Sequence, residues 1–152
     1  MADKELALMA HLMRRAGFGA TREELEARVA KGYEATVEEL LAPENQESVD
    51  RYEFFRYHPG FWKPVTSPGM GSATWLNDLI NTNQPLLEKV ALFWHQVFCT
   101  GQSKIDNYDE VTDQIDLFRE KGMGNYQELL LDLAKNPAMI FFLDNCDNHS
   151  YA

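Results

Sequence analysis

The chain has 152 residues, 45% hydrophobic and 25% charged, with a net charge of −10 and a pI near 4.8. That length closes one hydrophobic core and is marginal for two. The acidity excludes the basic surface through which a nucleic-acid binder displaces counterions, and no stretch reaches the roughly 20 apolar residues of a membrane-spanning helix.

Charge and aromaticity are unevenly spread. Residues 1–50 carry 11 acids against 6 bases, residues 51–100 carry 3 against 4, and residues 101–152 carry 10 against 4. The near-neutral middle third also holds 10 of the 18 aromatic residues, which predicts a central aromatic slab flanked by acidic, solvated helices. The opening MADKELALMA lacks the basic-then-apolar order of a secretory signal, and the compartment stays open. Two cysteines, Cys99 and Cys146, are too few for a disulfide framework and read as buried thiols.

In chain order, Leu6, Met9, Ala10 and Met13 share one face of a first helix over about 3–15, with Arg14 and Arg15 at the end that favours cations. Gly17 is placed to close it with a positive φ, Phe18 to fold back as a plug, and Thr21-Arg-Glu-Glu24 to open a second helix as a capping box. That helix ends near Gly32, and a third runs from Tyr33 to Leu41 before Pro43. Residues 43–71 are rich in Pro and Gly and predict a long connection. Its aromatic residues Tyr52, Phe54, Phe55, Tyr57, Phe61 and Trp62 predict that most of it lies packed, with a short helix around 49–57.

Ser72 is the expected cap of a helix carrying Trp75, Leu76, Leu79 and Ile80 to about Thr82. The next helix, about 85–99, is the most apolar and is expected to organise the fold. Asn83 is its candidate cap and Pro85 its first residue. Leu86, Val90, Phe93 and Val97 form one stripe and Leu87, Ala91, Trp94 and Phe98 a second, leaving a polar strip of Glu88, Leu92, His95 and Cys99. Beyond Gly101, Tyr108, Val111, Ile115 and Phe118 mark an amphipathic helix over about 107–121. Its other side carries Asp106, Asp109, Asp113, Asp116 and Glu120. Asn125 is placed to cap 126–135, and Asn136-Pro137 to start a last turn or two over 138–143. The expected fold is all-α: an irregular bundle of six to seven helices around 85–99, in a single helical domain with an aromatic-rich connection.

Three stretches carry a resemblance. They are His11-Leu-Met-Arg-Arg-Ala-Gly-Phe-Gly-Ala-Thr21, Pro85-Leu-Leu-Glu-Lys-Val-Ala-Leu-Phe-Trp-His95, and Asn125-Tyr-Gln-Glu-Leu-Leu-Leu with Asn136-Pro-Ala-Met139 and Leu143-Asp-Asn145. Together, and in this order, they resemble the bacterial family known as domain of unknown function 1800. The resemblance spans nearly the whole chain and implies a helical protein without an established activity. Family members are typically longer, and many are exported. They often continue the motif as Trp-His-Asn-His-Phe, where this chain has Trp94-His95-Gln96-Val97-Phe98, so one potential ligand is missing. They also continue past the position of Ala152, which implies that this chain is the N-terminal part of a longer protein.

Candidate sites are sparse. His95 and Cys99, four apart on one helix face, could share a metal or pair an imidazole with a thiolate. A zinc site would still need further ligands from His11, His58 or His149, and a buried histidine and thiol is the plainer reading. Arg14 and Arg15 before Gly17-Phe-Gly19 could grip an anion or a partner, or simply end a helix. Phe61 and Trp62 could belong to an exposed stacking platform, although burial is the expectation. Asp144, Asn145, Asp147 and Asn148 form a polar cluster without the glycine and ligand order of an EF-hand, and the acidic stripe reads as a solvated face.

No complete catalytic constellation is present and no cofactor is called for. The expected function is an interaction or scaffold module without its own catalysis, whose partner is another protein or the chain's own continuation. The alternative is the N-terminal portion of an enzyme or metal protein whose remaining groups lie beyond residue 152.

Overall fold

The computed structural model describes residues 2–61, 68–98, 100–105 and 107–148. Among them are nine α-helices: α1 (Ala2–Ala16), α2 (Arg22–Lys31), α3 (Tyr33–Leu41), α4 (Tyr52–Tyr57), α5 (Pro68–Asn81), α6 (Pro85–Phe98), α7 (Tyr108–Lys121), α8 (Tyr126–Leu133) and α9 (Pro137–Phe142). Four 3-10 turns accompany them, and no strand occurs among the described residues, so the fold is all-α. The helix count exceeds six or seven because α4 and α9 each close as short helices of 6 residues.

Local chemistry explains most boundaries. The Thr21 hydroxyl accepts from the Glu24 N–H while the Glu24 carboxylate accepts from the Thr21 N–H, the reciprocal capping box expected at α2. Asn107, Asn125 and Asn136 each accept from first-turn N–H groups of α7, α8 and α9. Three details differ from expectation, the first being that ahead of α6 it is the Thr82 hydroxyl, not the Asn83 side chain, that accepts, from the Gln84 N–H. Helix α5 starts at Pro68, a turn before Ser72, because proline suits a first helical position. At the end of α1 it is Gly19, with φ 103°, that takes the left-handed backbone, whereas Gly17 is held by a close approach: a Cβ there would lie 2.9 Å from that of Pro85.

The chain forms two compact units, residues 1–49 with 79–89, and residues 50–78 with 90–152. In the first, α1 packs on α2 and α2 on α3, burying Met9, Met13 and Leu40. The Lys89 ammonium donates to the Gly17 carbonyl at 2.8 Å, neutralising the negative end of α1, and stands 5.1 Å over the Phe18 ring. Phe18 is therefore half exposed under a cation, not a plug. Gln84 donates its side-chain amide to the Pro43 and Gln46 carbonyls, and the Thr82 hydroxyl accepts from the Gln84 N–H ahead of α6.

In the second unit α7 is the most buried helix. Tyr108, Val111, Gln114, Ile115 and Phe118 are all enclosed, and α7 packs on α8 and α9. One cluster joins Phe118 with Ala91, Leu129, Leu133 and Met139, and another joins Val111 and Ile115 with Ile105 and Ala138. A buried Phe118 alone is worth about 1.5–3 kcal/mol of transfer free energy. Helix α6 behaves differently from its sequence pattern: Ala91 and Glu88 are its enclosed residues, while Phe93 and Val97 stay half exposed. Its apolar arc is wider than its neighbours can cover.

Candidate functional site

The second unit contains a cavity of about 460 Å³ lined by three helices and by Thr100 and Gly101, which follow α6. From α5 come Gly71, Ser72 and Trp75; from α6, His95 and Gln96; and from α7, Tyr108, Val111, Thr112 and Ile115. The α7 residues fall at three- and four-residue steps and so share one helix face. Gly71 matters by what it lacks. A Cβ there would meet Tyr108 Cδ1 at 2.5 Å, so only glycine lets the Tyr108 ring lie against α5.

His95 meets Trp75 edge to face, ring centroids 5.2 Å apart at 89°. Burial pushes its imidazole below the ordinary histidine range, which keeps the ring neutral at pH 7. Its Nδ1 is shut off from solvent without a hydrogen-bond partner among the described residues. The Tyr108 hydroxyl, on a residue 5% exposed, is in the same condition, and burial raises its pKa. A buried, unpaired polar atom typically costs about 1–3 kcal/mol, so two beside one cavity form an unusual concentration of unmet hydrogen-bonding capacity.

A second cavity, about 80 Å³, shares Gly71, Trp75, Thr112 and Ile115 with the first and is completed by Arg51, Phe55, Thr74, Asp78, Asp109 and Arg119. Asp78, 2% exposed, is its electrostatic centre. It accepts from Arg51 Nε at 2.9 Å and Nη2 at 2.5 Å, and from Arg119 Nη2 at 3.2 Å. Arg119 also donates to Asp116 at 2.5 Å. Asp78, on α5, is held by two arginines, one of them Arg119 on α7, so the buried carboxylate ties the two helices together. Sequence reading misses Arg51, Asp78 and Arg119. The available signal is that Asp78 is the single charged residue of α5. Tyr108 is read there only as part of a core stripe.

A third feature lies on the outside of the same unit. Phe93 contacts Trp94 edge to face at 5.0 Å, and Trp94 stacks on Tyr126 at 5.6 Å and on Phe98 at 5.6 Å. The Trp94 indole N–H donates to the Gly122 carbonyl at 2.8 Å, which locks the ring in place. Phe93 is 54% exposed, Val97 51% and Tyr126 55%, so the row forms a connected aromatic patch on the surface.

The remaining sequence candidates are placed as follows. Cys99, Trp62, Asp106 and His149 lie outside the described residues, and Phe61 belongs to the Pro59–Phe61 turn with its side chain outside them. Arg14 and Arg15 are exposed at the end of α1. Asp144 adopts a left-handed φ of 57° and accepts from Lys104 Nζ at 2.6 Å, while Asn145 accepts from Asn148 Nδ2 at 3.0 Å. Cys146 Sγ lies 3.9 Å from Asp147 Oδ1, and Cys146 is exposed, against the expectation of burial, because its short turn follows the last helix. In its described part, the aromatic connection is less packed than expected at Tyr52 and Tyr57. Tyr52 and Tyr57 are exposed, whereas Phe54 and Phe55 are partly buried, as a short amphipathic helix requires. Among the described residues no group of three or more His, Cys, Asp or Glu side chains is arranged to hold a metal.

No curated protein and no solved structure matches the chain. A family model does, and it covers nearly all of the sequence, including the segments that build α5, α6 and α7. The chain belongs to the family described as "Protein of unknown function (DUF1800)", matched over residues 11–152.

Proposed function

We propose that the chain is an interaction module without catalysis of its own, and that it docks a protein partner on the Phe93–Trp94–Tyr126 patch. One observation carries this reading: the Phe93 and Tyr126 rings, on neighbouring helices, are more than half exposed and linked by ring contacts through Trp94, with the half-exposed Val97 on the same helix as Phe93. Exposed aromatic rings held rigidly are the usual anchors of protein interfaces. The partner's chemistry follows from charge. With 10 acids against 4 bases over residues 101–152 and −10 overall, the chain attracts a surface that sets apolar anchors inside a basic rim and repels a second copy of itself. An amphipathic helix with a leucine face flanked by lysines supplies both.

The test is a titration with a synthetic Leu/Lys amphipathic helix, against the same peptide carrying Glu for Lys, followed by tryptophan emission and by anisotropy of the labelled peptide. The Leu/Lys peptide is expected to bind saturably and the Leu/Glu peptide not to bind. A Phe93→Ser/Val97→Ser double variant with unchanged circular dichroism is expected to lose binding. Equal binding by both peptides, by the double variant, or by neither peptide overturns the proposal. A dimer in sedimentation velocity that the double variant abolishes assigns the patch to self-association instead.

A further inference from the structure

The aromatic patch borders a further apolar side chain on α8. Leu130 stands one turn after Tyr126, so the two lie side by side on one flank of that helix, as Phe93 and Val97 do on α6. Beneath them Leu129 and Leu133 turn inward and share one core cluster with Ala91 of α6, so the two helices pack together below the surface. Trp94 bridges them at the surface, 5.0 Å from the Phe93 ring and 5.6 Å from the Tyr126 ring. Those two steps keep the Phe93 and Tyr126 rings within one helix diameter of each other, about 10–12 Å with side chains. Trp94 itself is half-buried and has given its one donor to the Gly122 carbonyl, so what stays open of the indole is apolar and needs no partner. Leu131, the next residue along, is more exposed than Leu130, 54% against 37%, but stands about 140° round the helix from Tyr126 and belongs to another face.

Resting on the docking proposed above, we infer that the partner is a single helix seated over Trp94, with Phe93 and Val97 on one side of its apolar face and Tyr126 and Leu130 on the other. An interface confined to α6 would offer one pair of side chains. Two pairs, each one turn apart on adjacent helices, match the wide stripe that a partner helix presents at positions i, i+3, i+4 and i+7. A helix laid against two others at 8–10 Å between axes is ordinary ridge-and-groove packing. Lysines flanking its leucine stripe are drawn by the net charge of −10, so Leu130 adds an apolar anchor and electrostatics supplies the rest.

The test uses the same labelled Leu/Lys peptide, followed by anisotropy, with two single variants whose circular dichroism is unchanged. Leu130→Ser is expected to weaken binding by about tenfold, the order given by losing one leucine contact, and Leu131→Ser to leave it unchanged although Leu131 is the more exposed. Where Leu130→Ser does not fold, Leu130→Ala keeps the helix and decides. Unchanged affinity on substitution of Leu130, or equal losses in the Leu130 and Leu131 variants, overturns the inference. Binding that the Phe93→Ser/Val97→Ser variant loses and the Leu130 variant keeps leaves docking on the aromatic patch standing and removes the two-helix seat. No binding by the parent chain overturns both.

Discussion

A neutral imidazole buried beside an indole makes His95 a determinant of acid stability. Its pKa in the folded state lies below the ordinary 6.5, so between the two values the unfolded chain binds a proton that the folded chain refuses. Stability therefore rises with pH across that window. The contribution is fully present above about 6.5 and is lost as the pH falls through 6.5 toward the lowered value. Thermal melts at stepped pH are expected to show a shallower loss of Tm on acidification below 6.5 in His95→Gln than in the parent chain, because the three other histidines are common to both. Identical slopes would mean that the ring is solvated. At this scale the sequence shows that His95 and Glu88 share a helix strip but not that the strip turns inward. Glu88 is enclosed and His95 is walled by Trp75, while the apolar Phe93 and Val97 face out.

Among the elements, helix starts are the most legible feature, because a cap is local chemistry. Thr21, Asn125 and Asn136 all cap as their spacing predicts. Asn136 has a second role that spacing does not reveal. Its Oδ1 accepts from the Met139 N–H at 3.3 Å and from Gln114 Nε2 at 3.2 Å, so the cap of α9 also ties a fully buried glutamine of α7. Asn136→Ala is expected to lower stability by more than the roughly 1 kcal/mol of an ordinary cap, since it also leaves the Gln114 amide unpaired. Urea unfolding checks this, and Gln114→Leu made on top of Asn136→Ala should recover part of the loss. Which face of a helix is covered is poorly legible when its apolar arc exceeds half the circumference, as in α6. The answer then depends on contacts such as Ala91 with Phe118, far apart in the chain.

For the whole molecule, the helical spacing of apolar residues foretells the all-α fold, and no helix among the described residues is long and apolar enough to cross a membrane. The site is harder to read because its parts are distant in sequence. Asp78 draws Arg51 from 27 residues before it and Arg119 from 41 after it, and no spacing rule operates over such lengths. A consequence follows from the contact between Gly71 and Tyr108. Because one ring occupies the space where the other residue's Cβ would stand, the two positions cannot drift separately. Across relatives of this chain, a side chain at position 71 should occur with a smaller residue at position 108, and an aromatic at 108 with glycine at 71. An alignment in which the two vary independently would show that the cavity wall is not inherited as a unit.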